Sequence, residues 1–214
     1  DTLSNIENVT LSGNGANYVV GSASANIITM GSGVDVIDGG GGNDIIIVSG
    51  ANLLATDTLI GGSGTDALHI TNFATANAAV LDLSGIESIV IKDGTANADM
   101  TLTLTFTDAN TVALTIDASE LDAGEVFTLV ATDAEVDGAL TVTGGGGADV
   151  LTTGDGADII TGGGGPDTIT GDVGADIIKW LATAGAAMAT ESGAATGDTD
   201  FSAGVAGDKV VGFA

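Results

Sequence analysis

Between residues 144 and 179 one nine-residue phrase is written four times without a break, as GGGGADVLT, TGDGADIIT, GGGGPDTIT and GDVGADIIK. In each copy glycines crowd the first half, an aspartate stands sixth (Asp149, Asp158, Asp167, Asp176), and an aliphatic residue stands eighth (Leu151, Ile160, Ile169, Ile178). Self-similarity at a fixed period means that each phrase is one unit that buries its apolar face only by stacking on its neighbours. A flexible glycine-rich linker has no reason to keep an aliphatic residue two places after every aspartate.

Glycines admit positive φ and close backbone approach, so a run of them makes a tight turn whose carbonyl oxygens converge. A hard cation suits such a place. Calcium takes about six to eight oxygen ligands, and one loop with several carbonyls and one carboxylate supplies roughly half of them, so a second loop must supply the rest. The last three positions of the phrase read as a short strand with its middle side chain on one face. Two phrases per coil then stack Asp149 over Asp167 and Asp158 over Asp176.

The same frame runs in weaker form from residue 12. Sixth positions fall at Asn17, Asn26, Asp35 and Asp44, and eighth positions at Val19, Ile28, Ile37 and Ile46; GGGGNDIII is a complete copy. Asparagine offers a neutral oxygen where aspartate offers charge, so the first two copies are expected to hold calcium weakly. The next sixth positions are Asp57, thirteen residues after Asp44, and Asp66, nine later, in GGSGTDALH. A small bulge around residues 49–52 absorbs the four extra residues and restores Asp35 over Asp57 and Asp44 over Asp66.

These phrases resemble the RTX (repeats-in-toxin, hemolysin-type) calcium-binding β-roll. The resemblance covers roughly half of the chain. It implies an all-β, right-handed parallel β-roll or β-helix with calcium-binding nonapeptide turns, several Ca2+ ions, and a calcium-poor β section in the middle. It also implies that loop carbonyls join the sixth-position carboxylates as ligands: Gly144, Gly146, Gly162 and Gly164 in the carboxy-terminal block, and Gly39, Gly41, Gly61 and Ser63 in the amino-terminal one. Thr153 in place of a first glycine, Asp155 at a variable position, and Asp172 and Val173 in the last loop depart from the family pattern, and the site ending at Asp176 is the least regular.

Charge agrees with a cation-dependent fold. The 214-residue chain has 29 acidic residues against three lysines (Lys92, Lys179, Lys209), for a formal charge of -26. Self-repulsion on that scale opposes a compact state and argues against nucleic acid or an anionic membrane as partner. At 44% hydrophobic residues the chain is nevertheless too apolar for permanent disorder. It has no cysteine, hence no disulfide framework, and no apolar run long enough to span a bilayer. It opens mid-phrase without methionine, so a piece of a longer protein is expected.

Four stretches follow: an RTX-like β-roll at 1–69, a strand-rich solenoid section at 70–143, a second RTX β-roll at 144–179, and an alanine-rich tail or cap at 180–214. In the middle, residues 80–83, 88–91, 100–107, 112–116, 127–130 and 140–143 read as strands. MTLTLTFT alternates strictly, with Met100, Leu102, Leu104 and Phe106 inward and threonines outward; the threonines serve strand propensity or a repetitive ligand such as a glycan. LSNIENVTL (3–11) returns as LSGIESIVI (83–91), and its glutamates, Glu7 and Glu87, read as turn-satisfying or solvated carboxylates before they read as ligands. Asp117, Glu120, Asp122 and Glu125 form an acidic turn without basic partners. His69, the single histidine, lacks metal-binding company and reads as a surface-strand residue. In the tail, 181–189 reads as a short helix and GDKVVGFA as a closing strand.

No H-E-x-x-H, G-x-S-x-G, P-loop or G-x-G-x-x-G is present, so an enzyme is not expected. Two functions remain. One is a structural surface protein in which calcium folds the chain and ties it into a lattice or fibre; the IDASEL and LSGIE phrases resemble calcium-dependent S-layer proteins of Gram-negative bacteria. The other is the folding and secretion module of an exported lipase or protease. Both place the chain outside the cell. Outward residues Ile27, Ile45, Ile47, Ala67, Ile159 and Ile177 fall on one sheet, an apolar surface suited to self-association or to a covering tail; Thr152, Thr168 and Thr170 fall on the other.

Overall fold

The computed structural model describes residues 2–71, 77–94, 100–105, 113–131, 138–172, 174–179 and 209–213. In chain order the strands are β1 (Thr2–Ile6), β2 (Asn8–Thr10), β3 (Asn17–Gly21), β4 (Ile27–Thr29), β5 (Asp35–Asp38), β6 (Ile45–Ser49), β7 (Thr58–Ile60), β8 (Ala67–Thr71), β9 (Asn77–Ser84) and β10 (Ser88–Ile91), followed by β11 (Met100–Thr105), β12 (Leu114–Asp117), β13 (Phe127–Val130), β14 (Leu140–Thr143), β15 (Val150–Thr152), β16 (Ile159–Thr161), β17 (Thr168–Asp172), β18 (Ile177–Lys179) and β19 (Lys209–Phe213). The odd-numbered strands form one sheet of ten and the even-numbered strands a second sheet of nine. Every pairing within them is parallel. A chain that lays one strand on each sheet in turn is a β-solenoid, and the expected parallel β-roll is found.

The register follows the eighth-position aliphatics. Val19, Ile37 and Leu59 stack in one sheet and Ile28, Ile46 and Leu68 in the other, all essentially inaccessible to solvent. The four extra residues after Asp44 are absorbed by one turn of 3-10 helix, Gly50–Asn52, and the loop after it, so that Val36 pairs with Thr58 as the frame requires. In the middle section the strands at 88–91, 127–130 and 140–143 are found as expected, and β9, β11 and β12 fall on the other three, of which residues 106, 107 and 112 lie outside the described residues. Leu104 and Phe106 lie outside the residues whose side chains are described, as does the expected helix at 181–189. The closing strand is β19, paired with β17.

The middle section keeps the two sheets going without glycine loops by lengthening its coils and filling their corners with apolar side chains. Phe127 donates its backbone N–H to Asp149, placing it in the aspartate column, and Leu140 does the same toward Asp158; Met100 and Leu114 pair with them one coil earlier. All four are buried in one continuous core with the aliphatics of both repeat blocks. Along the outer face of the nine-stranded sheet, Ile27, Ile45 and Ala67 are followed by Ser88, Thr115 and Thr141 before Ile159 and Ile177. The apolar surface is therefore two patches, exposed most at Ile27 (46%) and Ile177 (40%), separated by a hydroxyl-bearing stretch.

Because Phe127 fills a corner that an aspartate closes elsewhere, Phe127→Ala should cost about 3–5 kcal/mol of stability, read as a lower denaturation midpoint in calcium. A shift below about 1 kcal/mol would mean that the corner is not packed as described.

Candidate metal centre

Alternation along a strand sends the sixth and eighth side chains to the same side, so the sixth-position aspartates point inward. Asp35, Asp44, Asp57, Asp66, Asp149, Asp158, Asp167, Asp176 and Asn26 are all at most 5% exposed. Each carboxylate reaches back one coil. Asp35 Oδ1 accepts the Asn17 N–H at 3.0 Å, Asp57 that of Asp35 at 2.9 Å, Asp44 that of Asn26 at 2.7 Å, and Asp66 that of Asp44 at 2.7 Å. In the second block Asp149, Asp167, Asp158 and Asp176 accept from Phe127, Asp149, Leu140 and Asp158 at 2.8–3.0 Å. These are charge-assisted bonds, and they join coil to coil where the loop becomes strand.

The second oxygens define the candidate site. Asp35, Asp44 and Asp66 each bury Oδ2 without a hydrogen-bond partner. A Cβ added to Gly39 would lie 2.5 Å from both Asp44 Oδ2 and the Gly61 carbonyl oxygen. The arrangement repeats: a Gly144 Cβ would fall 2.5 Å from Asp149 Oδ2 and against the Gly162 carbonyl, and a Gly162 Cβ would fall against Asp167 Oδ2. Each first glycine thus leaves open a small space walled by its own loop's carboxylate and, at the Gly39 and Gly144 levels, by the next coil's carbonyl. Any larger residue would fill it. Gly41 bridges Ser63 in the next coil, and Gly164 stacks on Gly146, whose N–H is held by the Leu121 carbonyl at 2.7 Å. Buried, anionic and made only of oxygen, this donor set fits calcium. Among the described residues no three Asp, Glu, His or Cys side chains converge, which accords with donors that are mostly backbone carbonyls.

Not every level is alike. Asp57 has both oxygens engaged, Oδ2 by the Leu54 N–H at 2.8 Å, in a loop without glycine. Asn26 closes on its own turn through the Ser22 N–H at 2.8 Å, and Asp149 Oδ2 accepts from Gly145 at 2.6 Å. Thr153, fully buried, stands where a first glycine belongs and puts a side chain into the space beside Asp158. Burial raises the pKa of Asp158 to about 6, against the opposing pull of the Thr153 hydroxyl and the Leu140 N–H, with Asp176 adding to the rise. Burial also raises Asp44, Asp57 and Asp149.

The residue that the sequence reading undervalued is Glu87. It lies in register with the aspartate column, and its Oε2 accepts the Asp66 N–H at 2.7 Å, as an aspartate would. The signal was present in Glu87-Ser88-Ile89, which keeps the aspartate-to-aliphatic spacing, but no glycine loop precedes it. Glu125, in the acidic turn, is buried and accepts the Asp122 N–H at 2.8 Å. His69 sits half-buried on β8, where burial first and then Lys92 lower its pKa; Lys92 is itself paired with Glu120.

Comparison with protein families bears on this geometry directly: the model of the RTX calcium-binding nonapeptide repeat matches in four copies, at residues 11–46, 55–69 and 141–178. The chain carries RTX calcium-binding repeats. Comparisons with curated proteins and with solved structures returned no match. RTX repeats bind calcium and are typical of secreted proteins, and RTX domains typically serve as structural or secretion modules. No helix among the described residues is long and apolar enough to cross a membrane.

For this chain the raised carboxylate pKa values fix the sign of the pH response without calcium. The folded chain holds these protons more tightly than the unfolded chain, so their contribution to stability is fully present below the ordinary value of 3.8 and is lost as pH rises through each raised value, about 6 for Asp158. In chelator, circular dichroism should show β structure gained between pH 7 and pH 5. Asp158→Asn should move that gain to higher pH, by an amount equivalent to roughly 1–3 kcal/mol at pH 7; an unmoved transition would mean that Asp158 titrates normally.

Proposed function

We propose that this chain is a structural, non-enzymatic calcium-binding segment of a bacterial cell-surface protein, an S-layer or a large RTX adhesin, in which calcium drives folding and then assembly. The observation that carries the reading is the continuity of the solenoid: two repeat blocks are joined through long apolar-cornered coils into the same two sheets. A folding and secretion module needs the repeats but not the long section between them. Self-association or lattice neighbours, and a surface polysaccharide along the threonine-bearing strands, are the partners this reading implies. Nucleic acid is not one of them, given the charge of -26.

In the proposed metal sites Asp35, Asp44, Asp66, Asp149, Asp158, Asp167 and Asp176 supply the charge. Gly39, Gly41, Gly61, Ser63, Gly144, Gly146, Gly162 and Gly164 supply carbonyl oxygens. Asn17, Asn26 and Asp57 contribute weakly, the first two for want of charge and Asp57 because both its oxygens are engaged in a loop without glycine carbonyls; Asp149, whose oxygens also accept N–H groups, keeps the glycine cradle that Asp57 lacks. A cation that binds only the folded form adds stability by mass action and cancels the repulsion that opposes compaction.

Circular dichroism should show a largely unstructured chain in chelator at pH 7 and β structure in millimolar calcium, with magnesium a poor substitute because it demands a smaller octahedron. An unchanged spectrum and melting point in chelator would remove the calcium reading. Asp44→Asn should lower the number of calcium ions bound, whereas Asp57→Asn should lower stability and leave that number unchanged; calorimetry giving the reverse would reassign both residues. For assembly, sedimentation and electron microscopy of the calcium-loaded chain should show sheets or fibres. A strict monomer whose deletion blocks export of an attached enzyme would favour the secretion-module alternative.

A further inference from the structure

The amino-terminal ion column ends at a loop with no nonapeptide above it. Asp44 faces the next glycine loop, but Asp66 faces the tight corner Leu83-Ser84-Gly85-Ile86-Glu87, which lies beyond the matched repeats. On consensus grounds the loop at 61–66 should therefore bind nothing on that side. The structure is otherwise. A Cβ on Gly61 would lie 2.8 Å from Asp66 Oδ2 and closer still to the Gly85 carbonyl oxygen, the same pairing of carboxylate and next-coil carbonyl as at Gly39. Asp66 is 2% exposed and its Oδ2 has no hydrogen-bond partner.

The corner is built to present these groups. Gly85 adopts φ +60, which turns the chain in three residues where the loop below uses six, and its position over Gly61 is fixed by the Gly61 N–H bond to the Ser84 carbonyl at 2.8 Å. Ile86, 1% exposed, plugs the core in place of the missing loop. Glu87 then stands in the aspartate column. Its side chain, one methylene longer, brings Oε2 to the Asp66 N–H at 2.7 Å and leaves a second carboxylate oxygen at the same level.

We propose that the corner at 84–87 completes a further calcium site with the loop at 61–66, using Asp66 Oδ2, the Gly85 carbonyl and the Glu87 carboxylate. This rests on the calcium reading of the repeats. The Leu3–Glu7 copy of the corner has the same turn, with Asn5 at φ +56 in the place of Gly85, but the loop it faces, 21–26, belongs to the coil after it, and Asn26 Oδ1 lies toward Gly21 and the Gly39 carbonyl instead of this corner. The phrase L-S-N/G-I-E thus has the donors for an ion where the coil before it brings a carboxylate, as at Asp66.

The test is calcium stoichiometry of the whole chain by calorimetry and native mass spectrometry, for the parent, Glu87→Gln, Glu87→Asp and Glu7→Gln. Glutamine keeps an acceptor for the Asp66 N–H, so Glu87→Gln should fold in calcium with one bound ion fewer, Glu87→Asp should recover it, and Glu7→Gln should match the parent. Equal stoichiometry and affinity in Glu87→Gln and the parent would overturn the corner site while leaving the repeat sites standing; a parent that binds no calcium would overturn the reading beneath it. Should Glu87→Gln fail to fold, terbium-soaked crystals of the parent decide: anomalous density about 2.3–2.6 Å from Asp66 Oδ2 and Gly85 O supports the site, and density in the other cradles but not in this one refutes it.

Discussion

A carboxylate that crosses from one coil to the backbone of the coil before it is the contact on which the rest of this solenoid depends. A sheet hydrogen bond joins strand to strand, but at the corners the backbone leaves the sheet and its N–H groups lose those partners. The sixth-position aspartate meets that need with one oxygen. Its charge strengthens the bond, yet burying the charge costs several kcal/mol unless something compensates. Where no N–H reaches it, as at Asp35, Asp44 and Asp66, the second oxygen is left inside the protein with a demand that only a cation or a proton meets. Folding, calcium and pH are linked through that one atom.

The chain solves the corner problem in three ways, and the position of each explains the architecture. Glycine loops with aspartate make anionic spaces that suit calcium. Where Met100, Leu114, Phe127 and Leu140 take the aspartate's place, hydrophobic burial closes the corner, with the buried Glu125 turned to the Asp122 N–H, so the middle section continues the sheets without glycine loops. At the Leu83–Glu87 corner Gly85 at positive φ shortens the turn, Ile86 fills the core and Glu87 reaches back as the aspartate does. A chain of charge -26 gains from alternating these solutions, because apolar coils keep a continuous core between segments that repel themselves until neutralised.

The outer faces carry a different kind of information from the corners. On the nine-stranded sheet the two apolar patches are set apart by Ser88, Thr115 and Thr141, so any neighbour that covers them meets two separate surfaces. Strand pairing fixes that spacing, and it does so through coils of unequal length: the register steps from Ile89 to Ile116 and then to Val142, far more than the eighteen residues that separate paired positions within the carboxy-terminal repeats.

The sequence by itself determined the parallel two-sheet roll, the inward column of aspartates and aliphatics, and the resumption of the frame after the 3-10 turn at Gly50–Asn52, because a period of nine with an invariant aspartate-to-aliphatic spacing admits one stacking. It could not determine which carboxylates are alike. Asp57 and Asp66 occupy the same place in the phrase, yet one has both oxygens engaged and the other buries a bare oxygen, since the difference lies in the loop and coil that each one faces. Glu87 kept the spacing but lost the glycines that announce it, and Thr153 kept its loop but filled the space beside Asp158. Glu87 reaches Asp66 across the stack from twenty-one residues away, while Leu54 and Thr153 act on Asp57 and Asp158 from within the same loop, and only the tertiary structure decides which oxygens those loops satisfy.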